Sequence, residues 1–388
     1  MPRFMDAFHT PHPYTENAMM TSDPSGFQSF VGVDLHKCTV SLAAVDPAGK
    51  ILARLTCSTK CIDRIASFLA ALPKPVHMAV EAVTFAEWFI DRFGPCVDKT
   101  DIAHATELAN LRGKRRKNDR NDAMDVALRL ARGQCPLGWI ADEPTAQLRK
   151  LGRHWRSLSC TLGRAKHGIA SMLNAANLAG PRLEAAAMHK WFLADGHLLK
   201  DVQQRAFADL LEIIGLIERQ RAMLRLRIIQ ANRHQKFTAG IELLRSVPGI
   251  DQIWACIILA EVGDFSRFPN ADALEFWSGL TADLKESAGR TASGNITKAG
   301  SATLRWALGK AALTLCRSDG RQEKLRQRLI VRVGKPKANV AMARRLLRTL
   351  YAMFRDGTAY RIGEPTHPTA AANAARLNKR SNPRNQAA

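Results

Sequence analysis

Between Phe30 and Glu81 short apolar runs alternate with tight turns in an order that most narrows the fold. Phe30-Val31-Gly32-Val33-Asp34, Thr39-Val40-Ser41-Leu42-Ala43-Ala44-Val45 and Ile51-Leu52-Ala53-Arg54-Leu55 read as three strands, with the turn Asp46-Pro47-Ala48-Gly49 before the third. A helix is expected from Ile62 to Leu72, then a fourth strand, Val76-His77-Met78-Ala79-Val80, running into Glu81. Strands, helix, strand and helix make an α/β layer pattern. Asp34 then ends the first strand and Glu81 the fourth. Acids at the ends of neighbouring strands can converge on one edge of a sheet, where ligands of open α/β folds bind. A single Asp after a strand is more often a turn residue.

Further on, Arg112, Lys114, Arg115, Arg116, Lys117 and Arg120 lead into Asn118-Asp119-Arg120-Asn121-Asp122-Ala123. If Asp119 opens a helix, its carboxylate and that of Asp122 stand at i and i+3 on one face, about 5–6 Å apart at Cβ. A divalent cation relieves the repulsion of such a pair. Mg²⁺ or Mn²⁺ suits it, because carboxylates share the ion with phosphate oxygens of a substrate while the adjacent cations hold the polyanion. An isolated pair of this kind is more often a capped, solvated first turn. Taken together, however, Asp34, Glu81, Asp119 and Asp122 give a strand-end Asp, a strand-end Glu and a helical Asp pair, the arrangement expected of an RNase H-like nuclease core. Glu87, Asp101 and Asp125 are rival acids.

A formal net charge of +22 on 388 residues favours a nucleic-acid partner over a small acidic substrate, which needs only a local patch. Eight cysteines are scattered without a CxxC pair, so Cys57 and Cys61 have no second pair with which to build a zinc site, and the thiols are expected to be reduced. The N-terminal residues lack the apolar run of a signal peptide, and no stretch has the length of a spanning helix. The expected location is the bacterial cytoplasm, associated with the nucleoid.

From Thr145 to Gly240 the pattern is helical. Leu148, Leu151, Trp155, Leu158, Leu162, Ala165, Ile169 and Met172 alternate steps of three and four, as in a coiled-coil seam. Phe207, Leu210, Ile214 and Ile217 repeat the spacing, and the stripe resumes at Leu224 and Ile228. Two long helices broken near Gly180-Pro181 form either a multimerisation arm or a stripe packed on its own domain. Beyond it, Ser246-Val247-Pro248-Gly249-Ile250 between apolar helices is either a helix-hairpin-helix turn or a plain structural turn. Gly279 to Ile296 is expected to be a polar loop, followed by helices to about Phe354. The resulting division is a disordered N-terminus (1–28), an α/β catalytic domain (29–140), a helical coiled-coil arm (141–240), a mainly α-helical C-terminal domain (241–362) and a disordered basic tail (363–388).

These segments carry a resemblance. Val31-Gly32-Val33-Asp34, Val80-Glu81-Ala82, Asn118-Asp119-Arg120-Asn121-Asp122-Ala123, Ser246-Val247-Pro248-Gly249-Ile250, Gly279-Leu280-Thr281, Lys298-Ala299-Gly300 and Leu304-Arg305 resemble, in order, the DEDD transposases of the insertion-sequence 110 family. The resemblance implies a RuvC-like (RNase H-fold) domain with metal-binding carboxylates at Asp34, Glu81, Asp119 and Asp122, and a C-terminal transposase domain supplying a nucleophilic serine at Ser287. It implies multimers, dimer or tetramer, acting on double-stranded DNA with a structured guide RNA encoded in the element. The chain departs from the family in having Ala82-Val83-Thr84 after Glu81, and Gly289 two residues after Ser287 where an adjacent glycine is usual.

The chemistry is coherent on its own terms. A serine hydroxyl is a poor nucleophile at neutral pH and needs a base or metal; Lys285, Arg290, Lys298 and Arg305 are candidates to position the phosphate. Ser278, Ser293 and Ser301 compete with Ser287 on residue type alone. The leading expectation is a DNA transposase or recombinase. Its rivals are a junction-resolving endonuclease that uses water with the same four acids, and a non-catalytic nucleic-acid-binding protein.

Overall fold

The computed structural model describes residues 20–112, 119–287, 290–298 and 300–362. The chain divides into two compact units, Met1–Ala141 and Asp142–Ala388. The expectations for residues 1–19, the basic stretch 113–118 and the tail 363–388 lie outside the described residues.

The first unit is built on a mixed seven-stranded sheet. Its strands are β1 (Met20–Thr21), β2 (Ser29–Leu35), β3 (Thr39–Val45), β4 (Ile51–Ser58), β5 (Val76–Glu81), β6 (Lys99–Ala103) and β7 (Pro136–Gly138). They lie in the order β1-β7-β6-β5-β2-β3-β4. The meander β2-β3-β4 is antiparallel, as its short turns require, while β5 lies parallel to both β2 and β6. Helices α1 (Ile62–Ala70), α2 (Ala86–Phe93), α3 (Ala105–Arg112) and α4 (Asp119–Ala131) complete the unit. Strand alternation sorts the apolar residues into two cores. Val31, Val33, Met78 and Val80 meet Ile65 and Leu69 of α1 and Phe89 and Phe93 of α2. Phe30 and Ala79 meet Ala123, Val126, Ala127 and Leu130 of α4.

Strand β1 falls within the stretch expected to lack structure. It is two residues long, too short for a periodic signal, yet it pairs with β7, and Ser22 Oγ nearby donates to the Leu130 carbonyl. Strands β6 and β7 were not anticipated from sequence either. The first alternates charged and small residues around Ile102, and the second is three residues long.

The second unit is mainly helical: α5 (Glu143–Ala175), α6 (Ala185–Asp195), α7 (Asp201–Ala231), α8 (Gln235–Arg245), α9 (Gln252–Val262), α10 (Ala271–Ser278), α11 (Ala302–Ser318), α12 (Gly320–Val333) and α13 (Lys335–Asp356), with one antiparallel ribbon, β8 (Ala282–Ser287) and β9 (Arg290–Ile296). The heptad seam is buried inside this unit. Leu162, Ala165, Ile169 and Leu173 of α5 pack on Phe207, Ile214 and Ile217 of α7. Leu148, Trp155, Leu224 and Ile228 join the core around α9. The break near Gly180-Pro181 leads to α6, whose Trp191 and Phe192 stack on Phe207.

Helix α9 is mostly apolar and buried from Ala255 to Val262, which explains how its carbonyl end is treated. The last carbonyls of a helix have no intrahelical partner, and two arginines fill that role, Arg149 donating to Ala260 O and Arg267 to Val262 O, while a third, Arg153, donates to the carboxylate of the buried Glu261. Burial, with Arg149 nearby, pushes the Arg267 guanidinium down to about 10.

At the preceding turn Gly249 has φ +95°, and a Cβ there would lie 2.6 Å from Thr314 Cβ. Asp251 caps α9 by accepting from Trp254 N. The close approach to Thr314 accounts for the glycine of the Pro-Gly-Ile turn, and a carboxylate already stands at the helix end where a phosphate would dock. All eight cysteines are free thiols. Among the described residues no helix is long and apolar enough to cross a membrane.

Candidate active site

Gly32 sets the geometry of the acidic site. A Cβ on this residue would fall 2.1 Å from Ala123 O and 2.5 Å from Ala127 N, so the bare glycine lets the backbone of α4 rest directly on β2. A glycine inside a strand marks such a close approach. Asp34 lies two residues beyond Gly32 on the same face, and Asp122 immediately precedes Ala123 on the helix.

The sheet register brings in Glu81. Val33 pairs with Val80 across the parallel strands, and both enter the core under α1 and α2. Asp34 and Glu81, the next residue on each strand, therefore face α4. Asp34 is 6 % exposed, with His36 Nε2 3.4 Å from its Oδ2. Glu81 and Asp122 are half-buried. Asp119 is the first residue of α4, and its description extends to the backbone alone.

The rival acids have other partners or positions. Asp101 bonds to His77 Nε2 at 2.8 Å and lies 3.5 Å from Lys99 Nζ. Asp125 holds Arg129 Nε through both oxygens, at 3.0 and 2.9 Å. Glu87 is exposed in the first turn of α2. Among the described residues no three His, Cys, Asp or Glu side chains stand close enough together to hold a metal ion. In donor chemistry the set fits Mg²⁺ or Mn²⁺, since Asp34, Glu81 and Asp122 offer only hard carboxylate oxygens from two strand ends and one helix that share a face.

Of the candidate cations here, Arg112 ends α3 and Arg120 lies in α4, with backbone described for both, while Lys114, Arg115, Arg116 and Lys117 fall outside the described residues.

In the second unit, the segment expected as a polar loop is the β8-β9 ribbon. Ser287 ends β8 and pairs with Arg290 at the start of β9, with Lys285 opposite Ala292. For Lys285, Ser287 and Arg290 the backbone alone is described. The ribbon escaped a search for apolar alternation because its residues are mostly polar, although its two-residue connection contains the glycine typical of a hairpin.

More is described at the root of the ribbon. Lys298 N donates to Gly279 O and Thr297 N to Thr281 O, which stitches the Gly-Leu-Thr and Lys-x-Gly segments together. Gly300, at φ +68°, brings its Cα so close to Trp277 O that a Cβ would lie 2.1 Å away. Arg305 Nη1 donates to Ser278 O at 3.0 Å and Gly300 O at 3.1 Å. Burial and the neighbouring charge of Arg156 hold its guanidinium below the usual range. Arg305 thus fastens the root by its own hydrogen bonds, whereas Lys298 is exposed. Neither the role of Gly32 nor that of Gly300 was drawn from the sequence. A Gly between two β-branched residues in a strand was the available signal for the first.

Two sequence comparisons bear on this architecture. Residues 31–177 match the DEDD_Tnp_IS110 family, described as transposase, and residues 241–327 match the family described as transposase IS116/IS110/IS902. A Sinorhizobium fredii protein named as transposase y4qE is 28 % identical over 293 residues, covering 74 % of this chain and 72 % of its own. A Pseudomonas aeruginosa protein named as a family 20 transposase is 32 % identical over 34 % of this chain and 41 % of its own. The 43.6 kDa protein of insertion element IS110 from Streptomyces coelicolor is 30 % identical over 32 % and 31 %. With both family patterns matched in order along the chain, it belongs to the IS110 family of DEDD transposases, enzymes that cleave and rejoin DNA.

Proposed function

We propose that this transposase cleaves and rejoins DNA strands in a metal-dependent reaction with a serine nucleophile, Ser287, and with Asp34, Glu81, Asp119 and Asp122 as the ligands of the divalent metal. The observation that carries the reading is the shared face: Asp34 and Glu81 end adjacent parallel strands opposite α4, and Gly32 seats that helix with Asp122 beside the strand. Bound there, Mg²⁺ or Mn²⁺ would lower the pKa of an attacking hydroxyl and stabilise charge on the phosphoryl oxygens. The serine oxygen forms a bond to phosphorus as the phosphorus-oxygen bond to one deoxyribose breaks, and the departing sugar oxygen takes up a proton. The phosphoserine ester conserves the phosphodiester bond, and attack on it by another strand's sugar hydroxyl rejoins DNA and frees the serine. Arg112, Lys114, Arg115, Arg116, Lys117 and Arg120 in the first unit, and Lys285, Arg290, Lys298 and Arg305 in the second, are the candidate cations for contacts to nucleic-acid phosphates. The resemblance also supports a homo-oligomer, and together with the +22 charge it supports direction by a structured guide RNA and action at the nucleoid.

The test is to trap protein on nicked duplex in Mg²⁺ and identify by mass spectrometry the residue that carries nucleotide. Ser287→Ala is expected to lose cleavage and adduct together, and Asp34→Ala to lower both by about 10²–10³-fold or more. An adduct on Ser278, Ser293 or Ser301 relocates the nucleophile. Full cleavage by Ser287→Ala without any adduct establishes the water-using nuclease instead.

A further inference from the structure

The last two helices of the second unit treat their cations differently. From Gly320 to Arg355 the sequence has one acid, Glu323, among many Lys and Arg residues. On α13 the arginines are engaged: Arg344 and Arg348 bind Glu275, Arg348 also binds Asp272, and Arg345 donates to Gln322. On α12, Arg326 takes up Glu323. The outward residues of α12 are Lys324, Arg328, Val331 and Arg332, at i, i+4, i+7 and i+8 on one side, and all are exposed. The stripe continues past Gly334 into exposed Lys335 and Lys337. Among the described residues no carboxylate lies within ion-pair distance of Arg328, Arg332, Lys335 or Lys337.

Folding does not account for this arrangement. Lys335 and Lys337 occupy the first turn of α13, which has no acid, and the helix dipole disfavours cations there. Val331 is 90 % exposed in the middle of the stripe, so its apolar surface contributes nothing to a core. The residues from 328 onward also lie past the last matched family position, 327.

A phosphate backbone complements such a surface. Lys324 to Arg332 spans about 12 Å of helix. A DNA strand carries one charge per roughly 3.4 Å of axis, so the stripe can lie beside about three phosphates before Lys335 and Lys337 extend it. We propose that the outer side of α12 and the first turn of α13 form a docking surface for the backbone of double-stranded DNA, a contact without sequence preference. The proposal rests on the family's action on DNA, and not on the identity of the nucleophile or the metal ligands.

The experiment measures binding of full-length protein to a labelled duplex of arbitrary sequence between about 50 and 200 mM salt. In the variant Arg328→Gln, Arg332→Gln, Lys335→Gln, Lys337→Gln, the slope of log affinity against log salt should become shallower by about 0.9 per lost phosphate contact, two to four in total. Affinity at the middle of the range should fall about tenfold or more. A control variant, Arg205→Gln, Arg219→Gln, Arg225→Gln, Arg227→Gln, removes the same charge from exposed positions on α7 and should change the slope less than half as much. Circular dichroism should show both variants folded, and if the first loses helix, the pair Arg328→Gln with Arg332→Gln carries the same test. An unchanged slope, an equal change in the control, or a loss confined to structured RNA with duplex binding intact would each overturn the proposal.

Discussion

The acids of the first unit and the serine of the second are held by different kinds of framework. Asp34 and Glu81 are fixed by a parallel register within seven strands, and α4 is locked to the same sheet by backbone contact at Gly32. Ser287 ends one strand of a two-stranded ribbon, a form that is marginal by itself in water. Its placement derives from the root, where Arg305, Lys298 and Gly300 tie the ribbon to the end of α10 and the start of α11. The carboxylates therefore depend on the stability of a whole core, and the serine on a handful of local contacts. Damage to the first framework should be global, and damage to the second should be confined to chemistry.

The largest effect should come from Gly32→Val. The side chain would collide with Ala123 O and Ala127 N, which are backbone atoms and cannot rotate away. Overpacking of this kind costs about 1–3 kcal/mol, and the upper end or beyond is expected here because a whole helix must move. Denaturant unfolding should show that loss, with cleavage falling in step because Asp119 and Asp122 ride on the displaced helix. Wild-type stability in Gly32→Val would mean that α4 is not seated on β2.

Gly300→Ala tests the other side of the contrast. Its φ of +68° strains any L side chain, and the Cβ would meet Trp277 O. A cost of about 2 kcal/mol is expected, smaller than at Gly32 because Lys298 and Gly300 are exposed and the ribbon root can shift. The diagnostic is the ratio: adduct formation should drop while duplex binding stays within about twofold. Equal losses of binding and adduct formation would show that the root supports more than the ribbon.

Legibility from sequence follows the same division. The strands from Phe30 to Glu81 were readable because β-branched runs and tight turns carry a local signal, and the ends of β2 and β5 follow from it. Which face Asp34 and Glu81 share was not readable, since that depends on the β2-β5 register, a pairing between strands separated by more than 40 residues of chain. The seam through Leu162 and Ile169 was visible as periodicity, but the pattern is the same whether the facing helix belongs to this chain or to another. The partner proved to be α7, with Phe207, Ile214 and Ile217. The ribbon β8-β9 was invisible to a hydrophobicity reading because its strands are polar, and β1 and β7 because they are two and three residues long.

The smallest effect separates an acid of the sheet's framework from those of its site. Asp101 stands on β6 beside the β5 strand that ends in Glu81, but it is tied to His77 and Lys99. Burial by itself would raise its pKa; the hydrogen bond from His77 and the Lys99 charge outweigh burial and hold the carboxyl below the usual range. A carboxylate depressed on folding adds stability at pH values above its unfolded pKa and loses it as pH falls through the folded value. Wild type should therefore exceed Asp101→Asn in unfolding free energy by about 1 kcal/mol at neutral pH, with the gap closing below the ordinary carboxylate range. Metal-dependent cleavage by Asp101→Asn should stay within a few-fold of wild type, because this carboxylate is committed to its own sheet. A gap that stays constant or widens on acidification would show that the His77–Asp101 pair does not stabilise the fold, and loss of cleavage with stability intact would move Asp101 from the framework into the site.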